Sequence, residues 1–342
     1  MKRTSVAVTI VTYNSGAFVS RCLDTLYAQT GLPQEVVLLD NASTDGTQDI
    51  LERYSSRATI LHNGINLGFA AAQNQAIAAT SSAWVLTLNP DVLLHPDFLA
   101  RLIDAASTDP GVGTVCGKLL RLNPDMSIPA ERRIDSAGIV FTPAMRHLDR
   151  GWNQPDGPDF DQPEYVFGAS AAAALYRRTM IDDVSGSDGF FDPDFFAYRE
   201  DADVAWRAQL LGWKSLYAPR AEAHHVRRVT PGNRGQLPPV LNRHSVKNRF
   251  LLRIKNMTSD LYRRSFWAAT ARDLVVAGSC LINEQGSLPA FLDVARLAPA
   301  AWEKRRKIME KRKISDEELA AWFDFRPASW PAGRAQIAAA GR

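Results

Sequence analysis

The sequence predicts an α/β fold built on a mostly parallel, Rossmann-like sheet flanked by helices. Three observations predict it. Short apolar runs rich in β-branched residues recur through the first 120 residues, each too short for a helix. Turn and cap residues follow most of them, and then a segment with helical apolar spacing. Two of the runs end in a carboxylate, Asp40 and Asp91. Strand–helix alternation at this spacing gives parallel neighbours, because parallel strands need a crossover and a helix usually supplies it.

The elements follow in order. Residues 6–11 form the first strand, and Thr12-Tyr-Asn-Ser-Gly16 ends it. A helix follows through Leu26, with Val19, Cys22, Leu23 and Leu26 on one face. Residues 35–40 are a buried strand ending in Asp40. The segment Asn41-Ala-Ser-Thr-Asp-Gly-Thr47 is rich in turn and cap residues and leads into a helix towards Tyr54. A strand over 59–62, a Gly/Asn turn and an Ala-rich helix over 69–79 come next. Residues 84–88 are the following strand, then a helix over about 96–107 and a strand over 112–120.

The chain is organised around Trp84-Val-Leu-Thr-Leu-Asn-Pro-Asp91. In open α/β sheets ligands bind beyond the carboxyl ends of strands, and Asp91 falls at such an end. Pro90 biases Asn89 towards an extended backbone and stiffens the presentation. A carboxylate there is a hard oxygen ligand that suits Mg²⁺ or Mn²⁺ held against a substrate diphosphate. The plainer reading is a turn before the next helix. The first turn carries no Gly-x-Gly-x-x-Gly fingerprint and no Walker loop, so a metal on Asp91 is the remaining way to hold phosphates.

Residues 121–165 are rich in Pro, Asp, Gly and Asn with little periodicity. A long irregular insert in a compact domain is usually functional or mobile. The segment 166–176 is full of small residues and reads equally well as a strand or a helix. From Glu200 a helix carries Val204, Ala208 and Leu211 on one face, with Glu200, Asp201 and Asp203 in its first turn. The macrodipole favours acids there, and Asp203 and Arg207 are spaced for an ion pair. The aromatic run before them would wall a pocket, and a carboxylate at a helix start stays ionised, as a general base must. A strand follows Gly212. His224 and His225 on it point to opposite faces, so at most one looks into a site.

Composition bounds the class. Of 342 residues, 46% are hydrophobic and 23% charged, as in ordinary globular proteins. Cys22, Cys116 and Cys280 fit neither a zinc spacing nor a disulfide framework, which points to a reducing compartment. The start of the chain has too short an apolar run for a signal peptide, and no stretch suits a membrane span. A net charge of +3 does not by itself imply nucleic-acid binding. The region after 235 is helical and basic. Arg243, Lys247, Arg249, Arg253 and Lys255, then a second run over 304–313, read as a face for anionic lipid or as a plain solvated surface.

Taken together in this order, the motifs resemble family 2 glycosyltransferases of the GT-A fold, nearest the bacterial rhamnosyltransferase-like branch. The resemblance covers roughly residues 5–230. Val11-Thr-Tyr-Asn14, Asp40 through Thr47, Asn66-Leu-Gly68 with Asn74, Asn89-Pro-Asp91 and Phe195 through Asp201 carry it. It implies a nucleotide-diphosphate sugar site around Thr12, Tyr13, Asn14, Asp40, Asn41, Asn66, Gly68, Asn74 and Asn89, with Asp40 accepting from the nucleobase. It implies that Asp91 binds Mg²⁺ or Mn²⁺ and that Asp201 deprotonates the acceptor. Pro219-Arg-Ala221 places the family's metal-site histidine at His225 rather than His224. Asn89 stands where the family's DxD motif has its first Asp, which lowers the charge of the metal site. One carboxylate for metal and one for base fit an inverting displacement. The implied organisation is a glycosyltransferase domain over 1–235, with its nucleotide half at about 1–120 and its acceptor half at 121–235, and a helical region over 236–342. The acceptor would be a cell-surface glycan or lipid-linked hydroxyl, met in the cytoplasm at the inner face of the plasma membrane. Competing readings are a sugar nucleotidyltransferase, against which the first loop is neither Gly-rich nor basic, and a non-catalytic sugar-nucleotide binder, against which Asp91 and Asp201 are both present.

Overall fold

The computed structural model describes residues 5–31, 33–228 and 238–323. In chain order the elements are β1 (Val6–Thr12), α1 (Val19–Tyr27), β2 (Glu35–Asp40), α2 (Thr47–Glu52), β3 (Thr59–His62), α3 (Phe69–Ala78), β4 (Trp84–Leu88), β5 (Val92–Leu94), α4 (Phe98–Ala106) and β6 (Val112–Leu122). Then come β7 (Ile134–Ser136), β8 (Ile139–Phe141), β9 (His147–Asp149), β10 (Glu164–Val166), β11 (Ala173–Arg177), α5 (Arg178–Val184), α6 (Glu200–Leu210) and β12 (Lys214–Val226). The C-terminal helices are α7 (Pro239–Asn256), α8 (Ser259–Ile282), α9 (Pro289–Glu310) and α10 (Asp316–Ala320).

One sheet runs β10-β12-β6-β11-β4-β1-β2-β3, with β5 added to β12 and β7 to β6. The half β4-β1-β2-β3 is wholly parallel. β11 enters antiparallel between β4 and β6, while β12 lies parallel to β6. The segment that read as strand or helix therefore ends in a strand, because its small residues are wedged between two others. Every residue of β1 is buried, as expected for a strand covered on both faces. Register puts Thr12 beside Asp40 and Asp40 beside His62, so the polar strand ends form one rim.

The core fills both faces. On one, Val8, Ile10 and Leu86 pack on Leu23 and Leu26 of α1 and on Phe98 and Leu102 of α4. On the other, Val85 and Tyr176 meet Ala70 of α3, Met180 of α5 and Trp206 of α6. Each large side chain buried this way contributes ~1.5–3 kcal/mol. The C-terminal helices join this second cluster through Leu251, Leu252, Leu261, Leu319 and Phe323. Phe323 is fully buried against Phe141, Phe167 and Trp206. The expected boundary near 235 lies outside the described residues, but the helices on its far side share the core of the sheet domain.

Part of the basic runs is drawn into the protein, while Arg306, Lys307, Lys311 and Lys313 stay exposed. Lys255 is buried between Asp192 and Asp203, and Lys304 joins Asp188, Asp192 and Asp194. Lys247 donates to the Asp194 carbonyl, Arg253 pairs with Asp273, Arg243 with Asp293, and Lys313 with Asp183. A charge removed from water needs a partner, and acidic loops of the sheet domain supply several of them. These cations join the helical region to the catalytic half. Among the described residues no helix is long and apolar enough to cross a membrane.

Candidate active site

The Asn89-Pro-Asp91 turn carries the chain from β4 into β5. β5 pairs antiparallel with β12, Val92 opposite His225, and the Val226 amide donates to the Asp91 carbonyl at 3.1 Å. This pairing brings Asp91 and His225 together from distant parts of the sequence. His224 lies on the other face of β12, as strand alternation requires.

Asp91 is buried. Its Oδ1 has no hydrogen-bond partner and lies 3.5 Å from His225 Nε2. Its Oδ2 accepts from Arg228 Nε at 2.9 Å, and the Arg228 guanidinium lies over the Phe18 ring. The other nitrogen of His225, Nδ1, is bonded to Asp135 Oδ2 at 2.8 Å. Arg227 holds Asp135 and reaches Asp149 at 2.8 Å. A carboxylate behind an imidazole fixes its orientation and leaves the other nitrogen for a ligand. Burial pulls the His225 pKa down, but Asp135 and Asp91 outweigh it and hold the group up to about 9. Burial pushes Asp91 up, yet His225 and Arg228 hold it below its ordinary value.

This donor set fits a divalent cation. A partnerless buried carboxylate oxygen faces an imidazole nitrogen, and the imidazole is braced from behind. Among the described residues no group of three or more His, Cys, Asp or Glu side chains is placed to hold a metal. Asp91 and His225 would therefore supply two ligands, and substrate oxygens and water the rest.

A cavity of about 370 Å³ opens against these residues. Its lining includes Asn89 and His225, Ser170 to Ala172, Tyr198 to Asp201, and Leu241, Asn242 and Ser245 of α7. A second cavity, of about 250 Å³, lies away from the strand ends between the 183–192 loop and α9. Asp201 opens α6, and its Oδ2 accepts from the Ala171 amide at 3.3 Å. Glu200 is a different kind of acid: burial, then the charge of Asp201, pushes it well above the ordinary carboxylate range. It is a poor base near neutral pH. Asp203 points away into the core, bonded to Arg207, Lys255 and Asn256, so its role is structural.

The loop before Asp201 is strained. Phe196, Tyr198 and Arg199 all have left-handed backbone, with φ of 65°, 71° and 70°. Such residues cost ~1–3 kcal/mol each and persist only when their surroundings fix them. Asn248 of α7 does much of that. Its amide Nδ2 donates to the carbonyls of Phe195, Ala197 and Tyr198 at 2.8, 2.9 and 2.7 Å. From the other side, the Ala70 amide donates to the Phe196 carbonyl at 3.1 Å. Gly68, at φ 83°, lets the loop approach: a Cβ there would meet the Phe196 ring at 2.5 Å.

The residues expected to hold the nucleotide form a self-bonded rim. Asp40 is fully buried and accepts from Thr12 Oγ1, the Ser43 amide and Gln48 Nε2. A base could use Asp40 only if one of these yields. Asn14 is bonded to Ser43 and Thr44, whereas the Tyr13 side chain is half exposed. Asn41 ties β2 to Asn63, Asn66 and Leu67, and Asn66 Oδ1 also accepts from the Gly68 amide. Asn74 corrects the sequence reading: its amide oxygen and nitrogen are both spent on the backbone of Asp188 and Phe191. It tethers that loop rather than facing a nucleotide.

Sequence reasoning missed Asp135, His147, Asp149 and Arg227. Three lie in the insert 121–165, which is ordered as β7 and the β8–β9 hairpin. His147 lines the cavity, and its Nε2 is buried with no hydrogen-bond partner. Burial lowers its pKa against the raising effect of Asp201. His147 and Asp149 share a face two residues apart, and Arg227 follows His225 at the same interval. That alternation was the available signal.

The description "Glycosyl transferase family 2" matches residues 7–185. The N-acetylglucosaminyl-diphospho-decaprenol L-rhamnosyltransferase of Mycobacterium tuberculosis is 34% identical over 243 residues, covering 66% of this chain and 77% of its own. The validoxylamine A glucosyltransferase of Streptomyces hygroscopicus subsp. limoneus is 27% identical, covering 60% of this chain and 48% of its own. Among solved structures, the mannosyltransferase PcManGT of Pyrobaculum calidifontis, in complex with GDP-Man and Mn²⁺, superposes with a TM-score of 0.53 at 19% identity, over 91% of this chain and 86% of that one. TarS 1-349 of S. aureus with UDP gives 0.54 at 15% identity, over 96% and 99%. At these identities the two structures speak for the fold.

Proposed function

The chain belongs to glycosyl transferase family 2, and on that premise we propose that it is an inverting, metal-dependent transferase for a lipid-linked acceptor, with rhamnose as the favoured sugar. One observation carries the site assignment. The buried, partnerless Oδ1 of Asp91 faces His225, and His225 shares the wall of a cavity with Asp201.

A divalent cation, Mg²⁺ or Mn²⁺, held by Asp91 and His225 would neutralise the charge gathering on the leaving nucleoside diphosphate. Asp135 keeps the His225 ring turned to Asp91, and Arg228 holds the other Asp91 oxygen. The strand-end rim, from Thr12 to Asn14 and around Asp40, receives the nucleoside. Ala171 and Ala172 leave room for the sugar beside Asn89. Asp201 takes the acceptor hydroxyl proton as that oxygen attacks the anomeric carbon. The attack comes from the face opposite the diphosphate, so the configuration inverts. Glu200, whose carboxyl burial and the Asp201 charge push up, is left out of that role. The rhamnose preference and the lipid-linked acceptor rest on the mycobacterial relative.

The test is transfer from dTDP-rhamnose to N-acetylglucosaminyl diphosphate polyprenol, with Mg²⁺, Mn²⁺ or chelator, and the anomeric configuration of the product read by NMR. Metal-dependent transfer with inversion is expected. Failure to release nucleoside diphosphate from dTDP-, UDP- or GDP-sugars in the presence of metal and acceptor would overturn the reading.

A further inference from the structure

Helix α8 spans 24 residues, and only Leu261, Ser265, Ala269 and Cys280 are buried. Its inner side is accounted for. Asp273 pairs with Arg253, and Val276 and Cys280 pack with Val246 and Phe250 of α7 and with Phe291 at the start of α9. Its outer side is apolar and, among the described residues, exposed. Trp267 is 81% exposed, Leu274 69% and Ile282 78%, with Val275 and Leu281 beside them. Ala271 and Gly278 continue the same stripe at helical spacing. Arg272 and Asp273, the charged residues of that stretch, fall on the opposite side. The stripe is roughly 22 Å long at the helical rise. An apolar face of that length on a helix is a contact surface waiting for its partner.

Further exposed apolar residues lie on α7 and α9. The C-terminal end of α8 leads through residues 285–287 to the first turn of α7, where a Cβ on Gly286 would lie 3.0 Å from Pro239. Val240 is half exposed there, and Leu292 of α9 is 75% exposed. The next residues of α7, Leu241, Asn242 and Ser245, line the cavity. Exposed apolar residues thus occur along α8 from Trp267 to Ile282 and again at Val240 and Leu292, beside the α7 turn whose next residues line the cavity. Exposed Arg263 lies near the Trp267 end.

We infer that the outer face of α8 inserts into the interfacial layer of a lipid bilayer, lying in its plane, and holds the cavity mouth at the headgroups. This rests on the lipid-linked acceptor proposed above. The contact is apolar in origin, because many cations of the basic runs are already paired within the protein. Binding then scales with buried apolar area rather than with lipid charge. A second copy of the chain could also use the stripe, since 267, 271, 274, 278 and 281 follow a heptad. It would not bring the enzyme to a lipid-linked acceptor, as a bilayer does.

The test is flotation of the full chain with vesicles of neutral phosphatidylcholine, alone or mixed with phosphatidylglycerol, at low and high salt. The wild type is expected to float with both, with little salt dependence. Leu274→Glu with Ile282→Glu should lower flotation at least about tenfold. It should leave turnover on a soluble, lipid-free acceptor analogue unchanged and lose turnover on vesicle-embedded acceptor. Leu274→Phe with Ile282→Phe should keep floating, which separates lost insertion from lost folding. A wild-type chain that stays in the soluble fraction overturns the inference. So does flotation confined to anionic vesicles at low salt, or a dimer by light scattering that the charged pair dissociates while flotation is unchanged. Transfer to the soluble analogue without flotation defeats the membrane face and leaves the transferase reading standing. Flotation without transfer to any lipid-linked acceptor does the reverse.

Discussion

The two sides of the cavity are held by different physics. On the metal side, Asp91 and His225 meet because β5 pairs with β12, and backbone ladders fix them. On the base side, Asp201 follows a loop with three left-handed residues, held by one asparagine from α7 and by contact with Gly68. A sheet register is set by many cooperative bonds, whereas the strained loop depends on a few tertiary ones. The metal side is therefore preorganised by the sheet domain. The base side is assembled only when the C-terminal helices are in place. Substitutions on the two sides should consequently separate donor binding from chemistry.

Asp201→Asn should show the largest effect. It removes the base at constant volume and should lower kcat ~10²–10⁴-fold. Donor affinity, read by calorimetry with nucleoside diphosphate and Mn²⁺, should hardly change. Turnover close to wild type would remove Asp201 from the base role.

On the other side, Asp91→Ala and His225→Ala should weaken metal-dependent nucleotide binding, and His224→Ala should not. Asp135→Asn tests the brace behind His225 and should cost about 10–100-fold in metal affinity. Titration of the purified variants with Mn²⁺ distinguishes these outcomes. A greater loss at His224 than at His225 would contradict the assignment.

Asn248→Leu sharpens the contrast. It leaves three loop carbonyls without their donor and should cost ~1–3 kcal/mol of stability. Its kcat should fall while the donor Kd stays near wild type. Equal loss of both would mean that the two sides are not held independently.

Acid should act on the helical side in the same sense, with the smallest effect. Burial pushes Asp192 up, but Lys255 and Lys304 hold it below the usual carboxylate range; for Asp203, Arg207 and Lys255 do the same. Groups depressed in the folded state stabilise it fully above their unfolded value, about 3.9. That contribution is lost as pH falls through the folded values. Thermal midpoints should therefore drop below about pH 4, and Asp192→Asn should flatten that dependence. An unchanged acid limb in the variant would show that other carboxylates govern it.

Much of this molecule was legible in the sequence because its signals are local. A β-branched run such as Val6–Thr12 declares a buried strand, and the acids that end β2 and follow β4 declare a ligand-facing rim. Asp91, the Glu200-Asp201 pair and the adjacent His224 and His225 stood out from spacing and alternation, while the choice of His225 and the role of each rested on the family resemblance. What tertiary structure decided is which polar groups were already spent. Asn74 looked like a ligand and is a tether, and Lys255 of α7 and Lys304 of α9 looked like a surface and are internal ion pairs. The insert looked shapeless and delivers Asp135, His147 and Asp149 to the site. A side chain's chemistry is written in its residue type, but whether its hydrogen bonds and charge remain available depends on groups distant in the chain, and only folding brings those within reach.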